Sequence, residues 1–167
     1  MYNYAYMLHN YKKHLLDKRF GDEIMQENKI YVTTSENETE NAAIDLAKNL
    51  KSGDFLAFYG DLGSGKTAFI RGLASVFCPG VRVSSPTYAI VNEYRGKPYI
   101  FHFDMYRITD DDGLYSTGFY DYFDRDGIIC AEWCENIPFA LPDEYYEIRF
   151  EKTSESERKI TITFITQ

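Results

Sequence analysis

One short segment of the sequence has the residue types and spacing of a phosphate-binding loop, G-x-x-x-x-G-K-[ST]. It consists of Gly60, Asp61, Leu62, Gly63, Ser64, Gly65, Lys66 and Thr67. Its glycines allow the backbone to curl, so that a ring of backbone N–H groups can meet phosphate oxygens. Lys66 is expected to reach the β- and γ-phosphates, and the Thr67 hydroxyl to bind Mg²⁺. With Ala68 in the first turn of a helix whose positive end faces the anion, we predict ATP and Mg²⁺ as cofactors.

The alternative interpretation of this segment is a glycine-rich turn followed by an incidental Lys-Thr pair. The surroundings favour the phosphate site, because an apolar run of strand length precedes the loop and an amphipathic helical pattern follows it. The sequence contains no N-K-x-D motif, so nothing selects guanine over adenine.

Two carboxylates at the ends of apolar runs are candidates for holding the metal. Asp104 ends the run Tyr-Ile-Phe-His-Phe-Asp, and Glu132 ends Gly-Ile-Ile-Cys-Ala-Glu. Parallel strands carry their functional residues at their C-terminal ends, so both acids could converge beside Thr67. We expect Thr67 and Asp104 to bind Mg²⁺, and Glu132 to bind the metal or to position the attacking water. The alternatives are an Asp that caps the next turn and a Glu in a strand-end salt bridge.

His102 lies close to these acids in the sequence and is interpreted as a strand histidine whose hydrogen bonds are satisfied within the sheet. We expect its side chain to lie off the face of the strand that carries Asp104.

Hydrophobic periodicity predicts the elements that position these residues. Helices are predicted from the Ser35 and Glu38 capping box to about residue 50, and over 66–77. Strands are predicted over residues 30–33, 55–59, 88–94, 99–103, 128–133, 144–150 and 159–165, the last two as an antiparallel pair. The fold class is therefore α/β: a P-loop NTPase fold with a doubly wound parallel central sheet, flanked by helices and extended by antiparallel strands.

The bulk properties fit one domain that does not grip nucleic acid by itself. The chain has 167 residues and a formal net charge of −8, and phosphate contacts to nucleic acid need clustered Lys and Arg. Three cysteines without zinc-type spacing are expected to be free thiols. Without an apolar run of membrane length or a secretory signal, we expect no membrane partner and a cytoplasmic location.

Residues 29–167 are predicted to form the P-loop ATPase domain, and residues 1–28 an N-terminal extension of a different character. The extension mixes aromatic, basic and acidic residues with no clean period. It is either a short appended helix or an artefact of the assigned start, since Met25 is a plausible first residue.

Four motifs together resemble the TsaE family (formerly YjeE), the ATPase subunit of bacterial tRNA threonylcarbamoyladenosine synthesis. They are the loop at 60–67, Ser85-Pro86-Thr87, His102-Phe103-Asp104-Met105-Tyr106-Arg107 and Glu132-Trp133. The resemblance covers roughly residues 30–150 in the family's motif order, and the family pattern does not include residues 1–24.

The resemblance implies a role for each matching residue. Lys66 and Thr67 become the Walker A pair, and Asp104 the Walker B-like acid. Glu132 becomes an acid required for activity. Two further residues gain roles from the resemblance alone: Thr87 lies in a switch-like loop near the γ-phosphate, and Trp133 lies close to the nucleotide.

The resemblance also implies partners and a slow reaction. Family members bind the TsaD–TsaB pair, hydrolyse ATP slowly and support repeated rounds of transfer onto adenosine 37 of tRNA, which they meet only through that complex. Two other functions stay open from the residues: a small-molecule kinase, although the arginines are scattered rather than gathered in a lid-like insertion, and a nucleotide switch that does not hydrolyse ATP.

Overall fold

A computed structural model describes residues 28–86 and 89–166 of the chain. Within these ranges, one seven-stranded sheet forms the centre of the molecule. Its strands are β1 (Lys29–Thr33), β2 (Phe55–Tyr59), β3 (Val91–Tyr94), β4 (Tyr99–Asp104), β5 (Gly127–Glu132), β6 (Glu144–Lys152) and β7 (Arg158–Thr166). The predicted extension lies outside the described residues except for Asn28, and Thr87 also lies outside them.

The strand order is β1-β7-β6-β2-β5-β4-β3. The four central strands β6, β2, β5 and β4 run parallel, while β1, β7 and β3 add antiparallel pairs at the two edges. This confirms the predicted α/β class with a parallel centre and added antiparallel strands. Several predicted strand bounds differ by one or two residues, and β5 ends at Glu132 rather than at residue 133, since Trp133 has a φ of 64°. The largest difference is at β3, which begins at Val91 rather than at residue 88, because Ile90 has a φ of 67° that cannot continue an extended strand.

Helices and short helical turns cover both faces of the sheet. They are α1 (Glu36–Ala47), α2 (Lys66–Phe77), α3 (Asp111–Ser116) and three 3₁₀ turns at Phe119–Asp124, Cys134–Asn136 and Pro138–Ala140. The Ser35 half of the predicted capping box is present, since its side chain accepts from the Glu38 backbone N–H. The Glu38 carboxylate reaches back one residue further than predicted and accepts from the Thr34 N–H. Helices α1 and α2 pack on one face, and α3 with the 3₁₀ turns packs on the other.

Aromatic side chains fix the helix α2 against the parallel strands. Phe58 of β2, Phe69 of α2 and Phe150 of β6 pack with ring centroids 5.8–6.3 Å apart, and all three are buried. This contact holds the end of β2 and the start of α2 together, and so fixes both ends of the loop between them.

The described ranges contain no helix that is both long enough and apolar enough to cross a membrane. Cys78, Cys130 and Cys134 are free and buried, as the sequence predicted.

Candidate functional site

The glycine-rich loop connects the C-terminal end of β2 to the first residue of α2. Gly60 has a φ of 133°, and a Cβ there would lie 2.7 Å from the backbone oxygen of Phe150. Gly65 caps α2 with a φ of 110°. Other residues rarely adopt these angles, so the curled loop requires glycine at both positions. The buried Ser64 Oγ has no hydrogen-bond partner among the described residues, and a buried hydroxyl of this kind fits a loop built to meet further oxygens.

Lys66 is held at the mouth of this loop. Its Nζ donates to the backbone oxygens of Gly60 (2.5 Å) and Asp61 (3.0 Å), and it lies 4.2 Å from the centroid of the Trp133 ring. Only 4% of Lys66 is exposed. Burial lowers the pKa of Lys66, although nearby carboxylates oppose that shift. A cation that the protein surrounds mainly with carbonyl oxygens and an aromatic face is available to an anionic ligand.

The two predicted acids stand side by side. Asp104 ends β4 directly opposite Glu132 at the end of β5, so both side chains lie on the face that α2 covers. Thr67 Oγ1 donates to Glu132 Oε1 at 2.9 Å. Asp104 instead accepts from the backbone N–H of Tyr106 (3.0 Å) and from Ser85 Oγ (3.3 Å). The structure therefore brings Thr67 and both acids together, with the direct hydrogen bond going to Glu132.

Glu132 is almost completely buried, and its carboxylate is paired. Burial by itself raises the pKa of Glu132. The hydrogen bonds from His102 and Thr67 and the charge of Lys66 lower it by a larger amount, so the pKa of Glu132 lies below the ordinary value. The His102 Nε2 donates to the same Oε1 at 2.9 Å. Glu132 is therefore a desolvated, oriented carboxylate at the edge of the glycine-rich loop.

His102 is a satisfied strand histidine, as predicted, but its predicted orientation was wrong. Residues two apart on a strand share a face, so His102 and Asp104 point the same way. The His102 side chain is fully buried between Glu132 and Tyr94, whose hydroxyl lies 3.4 Å from Nδ1.

The donors around Thr67 suit Mg²⁺, which prefers hard oxygen ligands and keeps several non-protein ligands. A hydroxyl and two carboxylates, Asp104 and Glu132, converge there. Within the described residues no group of three or more His, Cys, Asp or Glu side chains could hold a metal alone. This donor set fits a metal that the protein and phosphate oxygens hold together.

Trp133, which follows Glu132, has a backbone φ of 64°, a conformation that non-glycine residues adopt uncommonly. Its ring packs against Tyr106 at a centroid distance of 5.0 Å. Asn136 Nδ2 donates to the backbone oxygens of Met105 (2.9 Å) and Tyr106 (3.1 Å). Sequence reasoning missed the positioning roles of Tyr106 and Asn136, because both depend on contacts between segments about 30 residues apart.

A cavity of about 240 Å³ lies beside the loop. Its lining comes from the loop and α2, from the β1–α1 junction and from the turn between β6 and β7: Gly63, Gly65, Ala68, Thr34, Ser35, Glu36, Thr39, Ser156 and Arg158. Sequence reasoning did not identify this cavity, since nothing local indicates that the β6–β7 turn reaches the loop.

Sequence comparisons identify the family of the chain. A family model described as "Threonylcarbamoyl adenosine biosynthesis protein TsaE" matches residues 33–160. The chain is 36% identical over 134 residues to the tRNA threonylcarbamoyladenosine biosynthesis protein TsaE of Bacillus subtilis, covering 80% of this chain and 84% of that protein. It is 32% identical over 145 residues to the protein of the same name from a Nostoc species, covering 84% and 88%.

The fold comparison gives the same result. The crystal structure of Bacillus subtilis YdiB superimposes with a TM-score of 0.72 at 31% sequence identity, covering 86% of this chain and 89% of that one.

Proposed function

Because this chain belongs to the TsaE family, which acts in tRNA threonylcarbamoyladenosine biosynthesis, we propose that it is the ATPase of that process. In this proposal it binds and hydrolyses Mg·ATP as the partner of a TsaD–TsaB pair in the cytoplasm, and meets tRNA only through that complex. The observation that carries the proposal is the buried Lys66 at the loop mouth, next to the Thr67–Glu132 hydrogen bond.

The triphosphate binds in the curled loop. Backbone N–H groups of residues 60–68 and the Lys66 ammonium meet its oxygens, and the buried Ser64 hydroxyl lies in the same loop. The 240 Å³ cavity, which borders the loop at Gly63 and Gly65, takes the base and ribose. The Trp133 ring, stacked on Lys66, lies close to the phosphates.

In hydrolysis, Lys66 and the loop N–H groups stabilise the charge that develops on the β,γ-bridging and γ-oxygens. Glu132 orients the attacking water, since two hydrogen bonds hold its Oε1 in place. Thr67, Asp104 and Glu132 are the residues that would hold Mg²⁺, which supplies neutralising charge to the phosphate oxygens. Thr87 is proposed, from the family resemblance, to sense the γ-phosphate.

The variant Lys66→Ala tests the ATP site. We expect it to lose productive ATP binding, measured by calorimetry in the presence of Mg²⁺, because it removes the buried cation. Lys48→Ala is the matched control, since Lys48 is an exposed lysine paired with Asp45 on α1. ATP hydrolysis by Lys66→Ala at the parent's rate would refute the phosphate-site assignment.

Phosphate release distinguishes the proposed ATPase from the two alternatives. Release without any acceptor excludes a small-molecule kinase. Single-turnover hydrolysis with TsaD and TsaB present excludes a switch that only binds nucleotide. We expect slow release by the isolated protein and faster or coupled release with the partners.

The role in the cell is tested by depletion. We expect depletion to remove threonylcarbamoyladenosine from bulk tRNA, measured by mass spectrometry of digested nucleosides. The parent sequence should restore it and Lys66→Ala should not. Unchanged modification after complete depletion would overturn the pathway assignment and leave the ATP site intact.

A further inference from the structure

A line of buried polar side chains leads away from Glu132 across the sheet. Glu132 Oε1 accepts from His102 Nε2 at 2.9 Å, and His102 Nδ1 lies 3.4 Å from the Tyr94 hydroxyl. That hydroxyl donates to the backbone oxygen of Ser84 at 2.9 Å. His102 is fully buried and Tyr94 is 5% exposed. Polar groups in such surroundings depend on one another for their hydrogen bonds.

The strand register fixes this line. Tyr94 of β3 stands opposite Ile100 of β4, and His102 stands opposite Cys130 of β5. Residues two apart on a strand share a face, so Ile100 and His102, and with them Tyr94, point to the face that α1 and α2 cover. The side chains of three neighbouring strands therefore meet in one plane beneath the helices.

Tyr94, the residue of this group farthest from Glu132, contacts the segment Ser84–Pro86. This segment has no regular secondary structure. The Ser84 N–H donates to the Tyr94 hydroxyl (3.3 Å), and Asn92 Nδ2 donates to the Ser84 oxygen (3.0 Å). The next residue, Ser85, donates to the Asp104 carboxylate. This segment thus contacts both acids of the site, Asp104 directly and Glu132 through Tyr94 and His102.

We propose that His102 and Tyr94 are positioning residues that couple the Ser84–Pro86 segment to the orientation of the Glu132 carboxylate. The proposal rests on the proposed ATP hydrolysis. A displacement of Ser84 moves the Tyr94 hydroxyl that donates to its oxygen, and the Tyr94 ring lies against the His102 ring with centroids 6.1 Å apart. His102 is one of two groups that hold Glu132 Oε1. The carboxylate is then aligned for water only when Ser84 keeps its hydrogen bonds with Tyr94.

The variant Tyr94→Phe tests this coupling without emptying the core, because it keeps the ring and removes only the hydroxyl. The variant loses the hydrogen bond from the Tyr94 hydroxyl to the Ser84 oxygen. We expect kcat to fall about fivefold, the effect of one hydrogen bond of ordinary strength, while the Kd for Mg·ATP changes less than about twofold. Tyr31→Phe is the matched control. It removes a tyrosine hydroxyl that donates to Asp45 of α1, on the same face of the sheet but away from the site. Equal turnover in these two variants would overturn the proposal.

A double-mutant cycle shows whether the effect passes through Glu132. In a Glu132→Gln background we expect Tyr94→Phe to cause no further loss of turnover. His102→Gln keeps an N–H donor near Glu132 and should retain more turnover than His102→Leu. A full additional loss in the Glu132→Gln background would show that Tyr94 acts elsewhere and refute the coupling.

A spectroscopic measurement separates failure of this inference from failure of the proposed hydrolysis. In ¹H–¹⁵N spectra of the full chain, Glu132→Gln should shift the Ser84 amide signal, and that shift should disappear when Tyr94→Phe is already present. A shift that persists overturns the coupling even if ATP is hydrolysed. If the parent hydrolyses no ATP with partners present but the shift depends on Tyr94, the coupling stands and the proposed hydrolysis fails.

Discussion

Replacement of Glu132 by Gln separates catalysis from binding at this site. The amide oxygen of Gln can still accept hydrogen bonds from Thr67 and His102, so the local geometry is largely kept. The substitution removes the negative charge and one oxygen that could accept a proton from water. The oxygen that Thr67 and His102 engage stays an acceptor but loses its charge, and the other oxygen is replaced by an NH₂ group.

The magnitude follows from these contacts. A positioned acid or base contributes about 10²–10⁴-fold to turnover, so we expect kcat to fall at least about 100-fold. If Glu132 positions the water rather than holding Mg²⁺, the affinity for Mg·ATP should change no more than about threefold, because the loop N–H groups and Lys66 keep their positions. Charge-assisted hydrogen bonds are worth about 1 kcal/mol more than neutral ones. The bonds from Thr67 and His102 both become neutral in the variant. Because a neutral amide also costs less to bury than a carboxylate, the net loss of unfolding free energy should be about 1 kcal/mol.

The assay combines single-turnover phosphate release with calorimetric ATP binding, and urea unfolding measures stability. Glu135→Gln is the matched control: this exposed acid three residues further on also acts on Lys66 electrostatically. It removes the same charge without touching Thr67, and should leave turnover within about twofold. If Glu132→Gln turns over like Glu135→Gln, or loses binding and turnover equally, the assignment of Glu132 to water is wrong.

Three further predictions concern the metal, the acid stability and the N-terminal extension. Asp104→Asn should raise the Mg²⁺ concentration for half-maximal hydrolysis on the order of tenfold, because an amide is a poorer ligand than a carboxylate; an unchanged Mg²⁺ titration contradicts this. Hydrogen bonds from Arg125 lower the pKa of Glu93 to about 2, so this pair stabilises the fold above about pH 4.5 and is lost as the pH falls toward 2. With both side chains 39% exposed, Glu93→Gln should cost only about 1 kcal/mol at pH 7, and urea unfolding at pH 7 and pH 3 should show the difference shrinking at the lower pH. A chain that begins at Met25 should bind and hydrolyse ATP like the full chain; a folded truncation without ATP binding would show that the extension contributes to the site.

The sequence predicted the elements well wherever the pattern is local. The glycine-rich loop has a clear sequence motif, and the helix after it and the buried runs of β2, β4 and β5 each have a clear apolar period or run. The start of β3 was missed because Ile90 turns the chain with a positive φ, and nothing in that apolar residue indicates such a conformation. Trp133, next to Glu132, also has a positive φ that its residue type does not indicate.

The long-range partners within the site could not be predicted. The Tyr94 hydroxyl reaches His102 and Ser84 only because β3 pairs with β4 in one particular register. The position of Arg158 beside the loop depends on β6 lying next to β2. A single sequence fixes neither the order nor the register of strands that are distant in the chain.

The strand order also explains why the two acids have different neighbours. β5 lies directly beside β2, which leads into the glycine-rich loop, and β4 lies one strand further away. Because neighbouring strands are about 4.8 Å apart, Glu132 on β5 is the acid within hydrogen-bond reach of Thr67, while Asp104 on β4 is the acid that reaches Ser85. The equal register of the two acids then places the Glu132 carboxylate, for which we propose the water-orienting role, next to the glycine-rich loop. Asp104, which we propose as a ligand of Mg²⁺, also accepts from Ser85 Oγ, so a change in the bound nucleotide and a movement of the Ser84–Pro86 segment would act on adjacent residues.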